Sequence, residues 1–221
     1  MLSSSTVSFL KNLEKNNDRN WFEEHKPAYL KAKENFEDFI TAVITEFAQK
    51  DPLFLHHKAK DTIFRIYRDV RFSKNKNPYK THLSSYIAKG GRKSPDAGYY
   101  IHIQPGNKSF MAAGLWMPES PQLKAVRQEI DYNYQSLLQI LHKPAFKKVF
   151  PEVEGETLKK PPQGYTADNP ALPLLMKKSF IVSSPISDKE LTADSLVQSI
   201  VQKFLLAKPF VDFLNTASED E

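Results

Sequence analysis

The chain has no cysteine among its 221 residues. That absence excludes disulfides, thiolate zinc sites, iron–sulfur clusters and cysteine nucleophiles together. Glycine is scarce, at 7 residues. None of these glycines falls in a Gly-x-Gly-x-x-Gly, P-loop or Gly-x-Ser-x-Gly pattern, so the familiar phosphate-cradling loops and the hydrolase elbow are excluded. The six histidines, His25, His56, His57, His82, His102 and His142, form no His-x-x-x-His or His-Glu-x-x-His pattern. His82 and His102 would need a carboxylate brought to them by the fold, and their basic surroundings oppose a cation, so no metal and no cofactor is expected. No uncharged apolar run approaches the roughly 20 residues of a membrane span. Met1 to Leu13 lacks a basic start followed by a long apolar run, so no signal peptide and a cytoplasmic location are expected.

What is present is core material and an uneven charge. Apolar residues make up 40% and aromatic residues 12% of the chain, enough for a packed core. The net charge is +5. Between Lys58 and Lys93, eleven Lys and Arg face only Asp61 and Asp69, a local +9; the remainder carries twenty basic against twenty-four acidic residues, or −4. A basic middle on an acidic remainder points to an anionic partner.

Periodicity predicts an α+β fold. Ser3 to Thr6 offer N-caps for a helix bearing Phe9, Leu10 and Leu13, and Asn20 is expected to cap a turn with Trp21 and Phe22. Pro27 suits the first turn of a helix whose Phe36, Phe39, Ile40, Val43 and Phe47 share a face. Ile63 to Phe72 alternates as a strand does, with Phe64, Ile66, Arg68, Val70 and Phe72 toward a core and Arg65, Tyr67, Asp69 and Arg71 on a polar side. Leu83 to Ala88 is a second strand. Tyr99 to Gln104 and Ser109 to Met117, around Pro105-Gly106-Asn107-Lys108, form a hairpin. Ala112, Ala113 and Gly114 allow close packing of a helix on the sheet, or else the close approach of a ligand or another backbone. Leu123 to Leu141 is one amphipathic helix starting at Ser120–Pro121. Pro151 to Pro173 is a long connection, Phe180 to Ser184 a last strand, and Pro209 should kink or interrupt the final helix. Ser218 to Glu221 should fray. The expected architecture is one domain over 1–221: a mainly antiparallel sheet with a hairpin, flanked by N- and C-terminal amphipathic helices.

The run from Arg68 to Thr81 reads Arg-Asp-Val-Arg-Phe-Ser-Lys-Asn-Lys-Asn-Pro-Tyr-Lys-Thr. It resembles the hallmark, Arg-Asp-x-Arg-Phe-Ser-x-x-Lys-x-Pro-Tyr-Lys-Thr, of an uncharacterised bacterial domain-of-unknown-function family of conserved hypothetical proteins. Asn17-Asp18-Arg19-Asn20-Trp21-Phe22 and Gly98-Tyr99-Tyr100 resemble further signatures of that family. The resemblance spans nearly the whole chain. It implies a single α+β domain and leaves the activity open.

The residues themselves suggest a small-anion site. Arg65 and Arg71 present forks for phosphate or carboxylate oxygens, and Asp69 between them should stay ionised and orient them. Arg68, a further ligand-binding candidate, falls on the apolar side, so it must snorkel outward or be re-aimed by a bulge near Asp69. Lys76, Tyr79 and Lys80, members of the motif, join the ligand-binding set, whereas Lys74 reads as a solvated turn lysine. Tyr100, His102 and Gln104 share the polar face of the hairpin, which makes His102, with Tyr67, the candidate for moving a proton. The competing expectation is structural: Asp69 pairs an arginine to stiffen a solvent-facing sheet, and His102 is a hydrogen-bonded surface residue. Two other functions stand beside the small anion: a nucleic-acid surface on residues 58–93, with Tyr67, Phe72 and Tyr79 stacking on bases, and a protein-interaction module.

Overall fold

The computed structural model describes residues 1–217; Ser218 to Glu221, expected to fray, lie outside the described residues. The helices are α1 (Ser4–Lys15), α2 (Arg19–Glu24), α3 (Lys26–Ala48), α4 (Ala59–Thr62), α5 (Ser120–Tyr132), α6 (Tyr134–Leu141), α7 (Pro144–Val149), α8 (Leu172–Leu175) and α9 (Leu196–Thr216). The strands are β1 (Leu83–Ala88), β2 (Gly98–Ile103), β3 (Ser109–Leu115) and β4 (Phe180–Ile186), which form an antiparallel sheet in the order β1-β2-β3-β4. The fold is α+β, as the periodicities imply. No helix of the described residues is long and apolar enough to cross a membrane.

Two compact units make up the chain. One is Met1–Ile87, Tyr100–Met111 and Pro185–Gln202; the other is Ala88–Tyr99, Ala112–Ser184 and the described chain from Lys203 onward. In the first unit, α1 packs on α3 through Phe9, Leu10 and Leu13 against the buried stripe Phe36, Phe39, Ile40, Val43 and Phe47. Asn35 fixes the start of α1 by accepting from Ser3 N and Thr6 Oγ1, both at 2.8 Å. The hairpin turn has positive φ at both Gly106 (90°) and Asn107 (57°), the pattern of a primed turn that matches strand twist. Asp188 pins that turn by accepting from Gly106 N and Asn107 N at 2.9 Å.

In the second unit, Tyr99 packs against Phe204 with ring centroids 4.6 Å apart, and Asn215 Oδ1 accepts from Ala97 N at 2.8 Å. Arg127 of α5 donates to the carbonyls of Leu175 (2.7 Å) and Lys177 (3.1 Å), which closes the end of α8. The connection from Pro151 to Pro173 is partly ordered onto β4, through a bridge from Glu154 to Ile181.

Four local expectations differ from the structure. Asp18, not Asn20, caps α2, accepting from Trp21 N at 3.0 Å, because its carboxylate is one turn ahead of the first free N–H groups. The helix expected through Leu141 breaks at Asn133 into α5 and α6. Helix α9 runs through Pro209, so of the two outcomes expected there, a kink or an interruption, the interruption does not occur. Residues 63–72 form isolated bridges at Ile63 and Tyr67 rather than a strand, and the chain turns at Arg71–Phe72.

Candidate functional site

Residues 63–82 form an arm folded back on itself. Its two limbs pair through Lys80 N to Ile66 O (2.8 Å), Arg68 N to Pro78 O (2.9 Å) and a bridge between Tyr67 and Tyr79. Nearer the sheet the pairing is Phe64 N to Ser84 O (2.9 Å) and a bridge between Ile63 and Ser85. The two pairings are out of step. Arg65 alone opposes Thr81, His82 and Leu83, and this bulge is why alternation over 63–72 does not become a regular strand. Alternation still governs exposure: Ile66 is buried, while Arg65, Tyr67, Asp69 and Arg71 are exposed. Phe72, expected in a core, is 96% exposed because the chain turns at Arg71–Phe72.

The N-terminal signature anchors the arm. Asn17 Oδ1 accepts from Tyr79 N (3.1 Å), and its Nδ2 donates to Tyr79 O (3.0 Å). The Tyr79 ring is buried and lies on Phe22, centroids 3.9 Å apart and 13° from parallel. Tyr67 reaches the same cluster, 5.5 Å from Tyr79 and 6.0 Å from Phe22. The tip is closed by its own basic residues. Arg68 is half-buried and donates to Asn77 O (2.9 Å) and Ser73 Oγ (3.3 Å), while Lys76 Nζ donates to Val70 O at 3.1 Å.

Asp69 and Arg71 form a two-point pair on the outer side of the tip: Nε to Oδ1 at 3.0 Å and Nη2 to Oδ2 at 2.6 Å. The Arg71 side chain, its backbone N–H and the more distant Arg65 charge hold the Asp69 carboxyl below its usual range. Both side chains are well exposed, 47% for Asp69 and 77% for Arg71. Exposed pairs of this kind add little to stability. Asp69→Asn should therefore leave the denaturation midpoint unchanged within the error of the fit, whereas a carboxyl titration by NMR should place Asp69 below an ordinary aspartate.

A second cluster occupies the polar side of the hairpin, and its centre is a pair of histidines. His102 Nδ1 lies 3.1 Å from the Tyr100 hydroxyl and Nε2 lies 3.0 Å from Gln104 Oε1. The amide oxygen can only accept, so Nε2 carries the proton and Nδ1 accepts from Tyr100. Gln104 Nε2 then donates to Thr81 Oγ1 at 3.1 Å. The His102 ring lies on Phe110 at 4.8 Å and beside His82 at 4.1 Å. His82 sits in the middle of the three-residue side of the bulge, which turns it toward His102. Among the described residues no group hydrogen-bonds its ring nitrogens. Lys80 Nζ lies 5.3 Å over the Phe64 ring.

Burial, the neighbouring His102 and the Lys80 charge push His82 down to about 3. Burial and Lys80 also lower His102, against the opposing bond to Gln104. Both rings are therefore uncharged at neutral pH. Since the unfolded chain binds these protons near pH 6.5 and the folded chain does not, the stability they allow is complete above that pH and is lost as pH falls toward 3. His82 is only partly shielded from solvent, which screens the effect, so we expect it to account for about 1–2 kcal/mol of acid sensitivity. Urea denaturation at neutral pH and at about pH 4.5 should show wild type losing more stability than His82→Phe. Equal losses would mean that His82 is not held neutral.

The structure thus divides the residues singled out from the sequence. Lys80 and His102 belong to the sheet-face cluster. Arg65, Asp69 and Arg71 share the outer side of the arm, and no contact joins Asp69 or Arg71 to His102 among the described residues. Arg68, Lys76, Tyr79 and Tyr67 shape or dock the arm. Sequence reasoning gave His82 only a weak metal-ligand role and left out Thr81 and Phe110; the bulge that brings His82 into place has no periodic signature. Among the described residues no group of three His, Asp or Glu converges as a metal site.

No curated protein and no solved structure matches the chain. Residues 5–213 match the model of the family of conserved hypothetical proteins designated DUF2461, a match that takes in both the anchored arm and the imidazole face. The chain belongs to the DUF2461 family of conserved hypothetical proteins.

Proposed function

We propose that the protein binds a small anionic ligand, bearing phosphate or carboxylate, at the imidazole face of the sheet, and that it does so in the cytoplasm. One observation carries the reading: Lys80 sets its charge against two uncharged imidazoles, and among the described residues no group bonds the ring nitrogens of His82. A neutral imidazole offers an N–H to an oxyanion and a lone pair to an acid. An anion seated there is attracted by Lys80 and in turn favours protonation of His82. His102, held between Tyr100 and Gln104, keeps its tautomer and gives His82 a fixed ring to lie beside. In this reading Lys80 and His82 make the ligand contacts, and Arg68, Lys76 and Tyr79 serve the site by holding the arm that carries them.

Calorimetric titration with inorganic phosphate and with acetate tests this directly. Lys80→Ala and His82→Ala should each weaken binding at least tenfold, about 1.4 kcal/mol, while Arg71→Ala changes it less than about twofold. No binding of either anion, or a loss confined to Arg71→Ala, would overturn the reading.

A second reading, a nucleic-acid surface, draws support from Phe72, which is exposed at the tip beside Arg71 and Lys74. It requires oligonucleotide binding that falls steeply with salt and is lost in Phe72→Ala.

A further inference from the structure

Three aromatic rings form a row across the sheet face. Phe110 on β3 lies against His102 on β2, 16° from parallel, and His102 meets His82 at 31°. The row stops at His82. On the arm side only the exposed Arg65 lies opposite Thr81, His82 and Leu83, so among the described residues no regular cross-strand pair faces the imidazole. Among the described residues His82 has no ring neighbour other than His102, and no hydrogen bond to its nitrogens. It is nonetheless partly exposed. An uncharged heteroaromatic ring at the end of such a row, with acceptor and donor nitrogens at its edge, is suited to receive another flat ring. Lys80, two residues earlier in the chain, projects its positive charge onto both imidazoles.

We infer that the ligand carries a planar ring as well as its anionic group, and that the ring extends the Phe110–His102–His82 row while the anion lies toward Lys80. This rests on the anion-site reading above. It narrows the ligand to two sources of one chemistry: a nucleoside monophosphate, or an aryl carboxylate. A ring-less phosphate or carboxylate would use Lys80 and the edge N–H of His82 and leave the end of the row empty.

The experiment compares matched pairs of probes by calorimetric titration: adenosine 5′-monophosphate against ribose 5-phosphate, and benzoate against acetate. In at least one pair the ring should tighten binding about tenfold. His82→Ala should abolish that gain. His82→Phe, which keeps a ring in the bulge, should retain most of it, and thermal melts of both variants establish that they are folded. A gain in the first pair alone identifies a nucleotide, and a gain in the second alone identifies an aryl carboxylate. If all four anions bind and neither ring helps, the inference fails while the anion site stands. If none binds, the anion site fails and the inference with it.

Discussion

Phe22→Ala should destabilise the protein by about 3–5 kcal/mol, among the larger losses a single truncation causes. The Phe22 side chain is fully buried. It is stacked on Tyr79 at 3.9 Å, with Tyr29 at 5.0 Å and Tyr67 at 6.0 Å, so its removal empties a space walled by rigid rings that cannot collapse into it. The ring contacts join α2 to the arm, and the arm carries Lys80 and His82. Anion binding should therefore weaken along with stability. Urea denaturation measures the first effect as a shift in midpoint at constant slope. A loss below about 1 kcal/mol would mean that the arm does not depend on this anchor.

Gly114→Ala should be as damaging for a different reason. Gly114 lies in β3 with φ of +128°, a region closed to side chains. A Cβ there would overlap the carbonyl oxygen of Phe180 on the adjacent strand β4, and Ile181 Cα lies within 3.2 Å. Backbone within a paired strand cannot swing aside as a lysine tip can. We expect a loss on the order of 3 kcal/mol or more, read by thermal denaturation. Our reading of residues 1–221 as one cooperative domain adds that this variant and Phe22→Ala lower the same single transition. Two transitions moving independently would contradict it.

Much of this architecture is legible in the residue pattern. Period-two alternation in the hairpin puts Ile101 and Ile103 inside and Tyr100, His102 and Gln104 together outside, because neighbouring strand residues must point to opposite faces. The stripe from Phe36 to Phe47 marks the buried side of α3 by the same logic at helical period. The arm is harder. Its alternation correctly separates Ile66 from Arg65 and Tyr67, yet alternation says nothing of register, and the out-of-step pairing at Thr81–Leu83 is a property of two segments together. His82 therefore went unassigned to the site that its position in the bulge builds. The motif residues pose a related problem. Asn17, Phe22, Arg68, Lys76 and Tyr79 carry polar or aromatic chemistry suited to a ligand, yet they bond backbone groups and one hydroxyl or pack on neighbouring rings of the fold. Charge density along a chain does not separate a lysine that caps a loop from one that faces a ligand.

The central claim, that the anion lies against His82 on the sheet face and not at the arm's tip, is tested most directly by side-chain nitrogen NMR during a phosphate titration. The account predicts that the His82 ring resonances shift and that His82 becomes easier to protonate as phosphate binds, with smaller changes at His102 and none at the Arg71 guanidinium. Shifts at Arg71 and Lys74 with a silent His82 would contradict it.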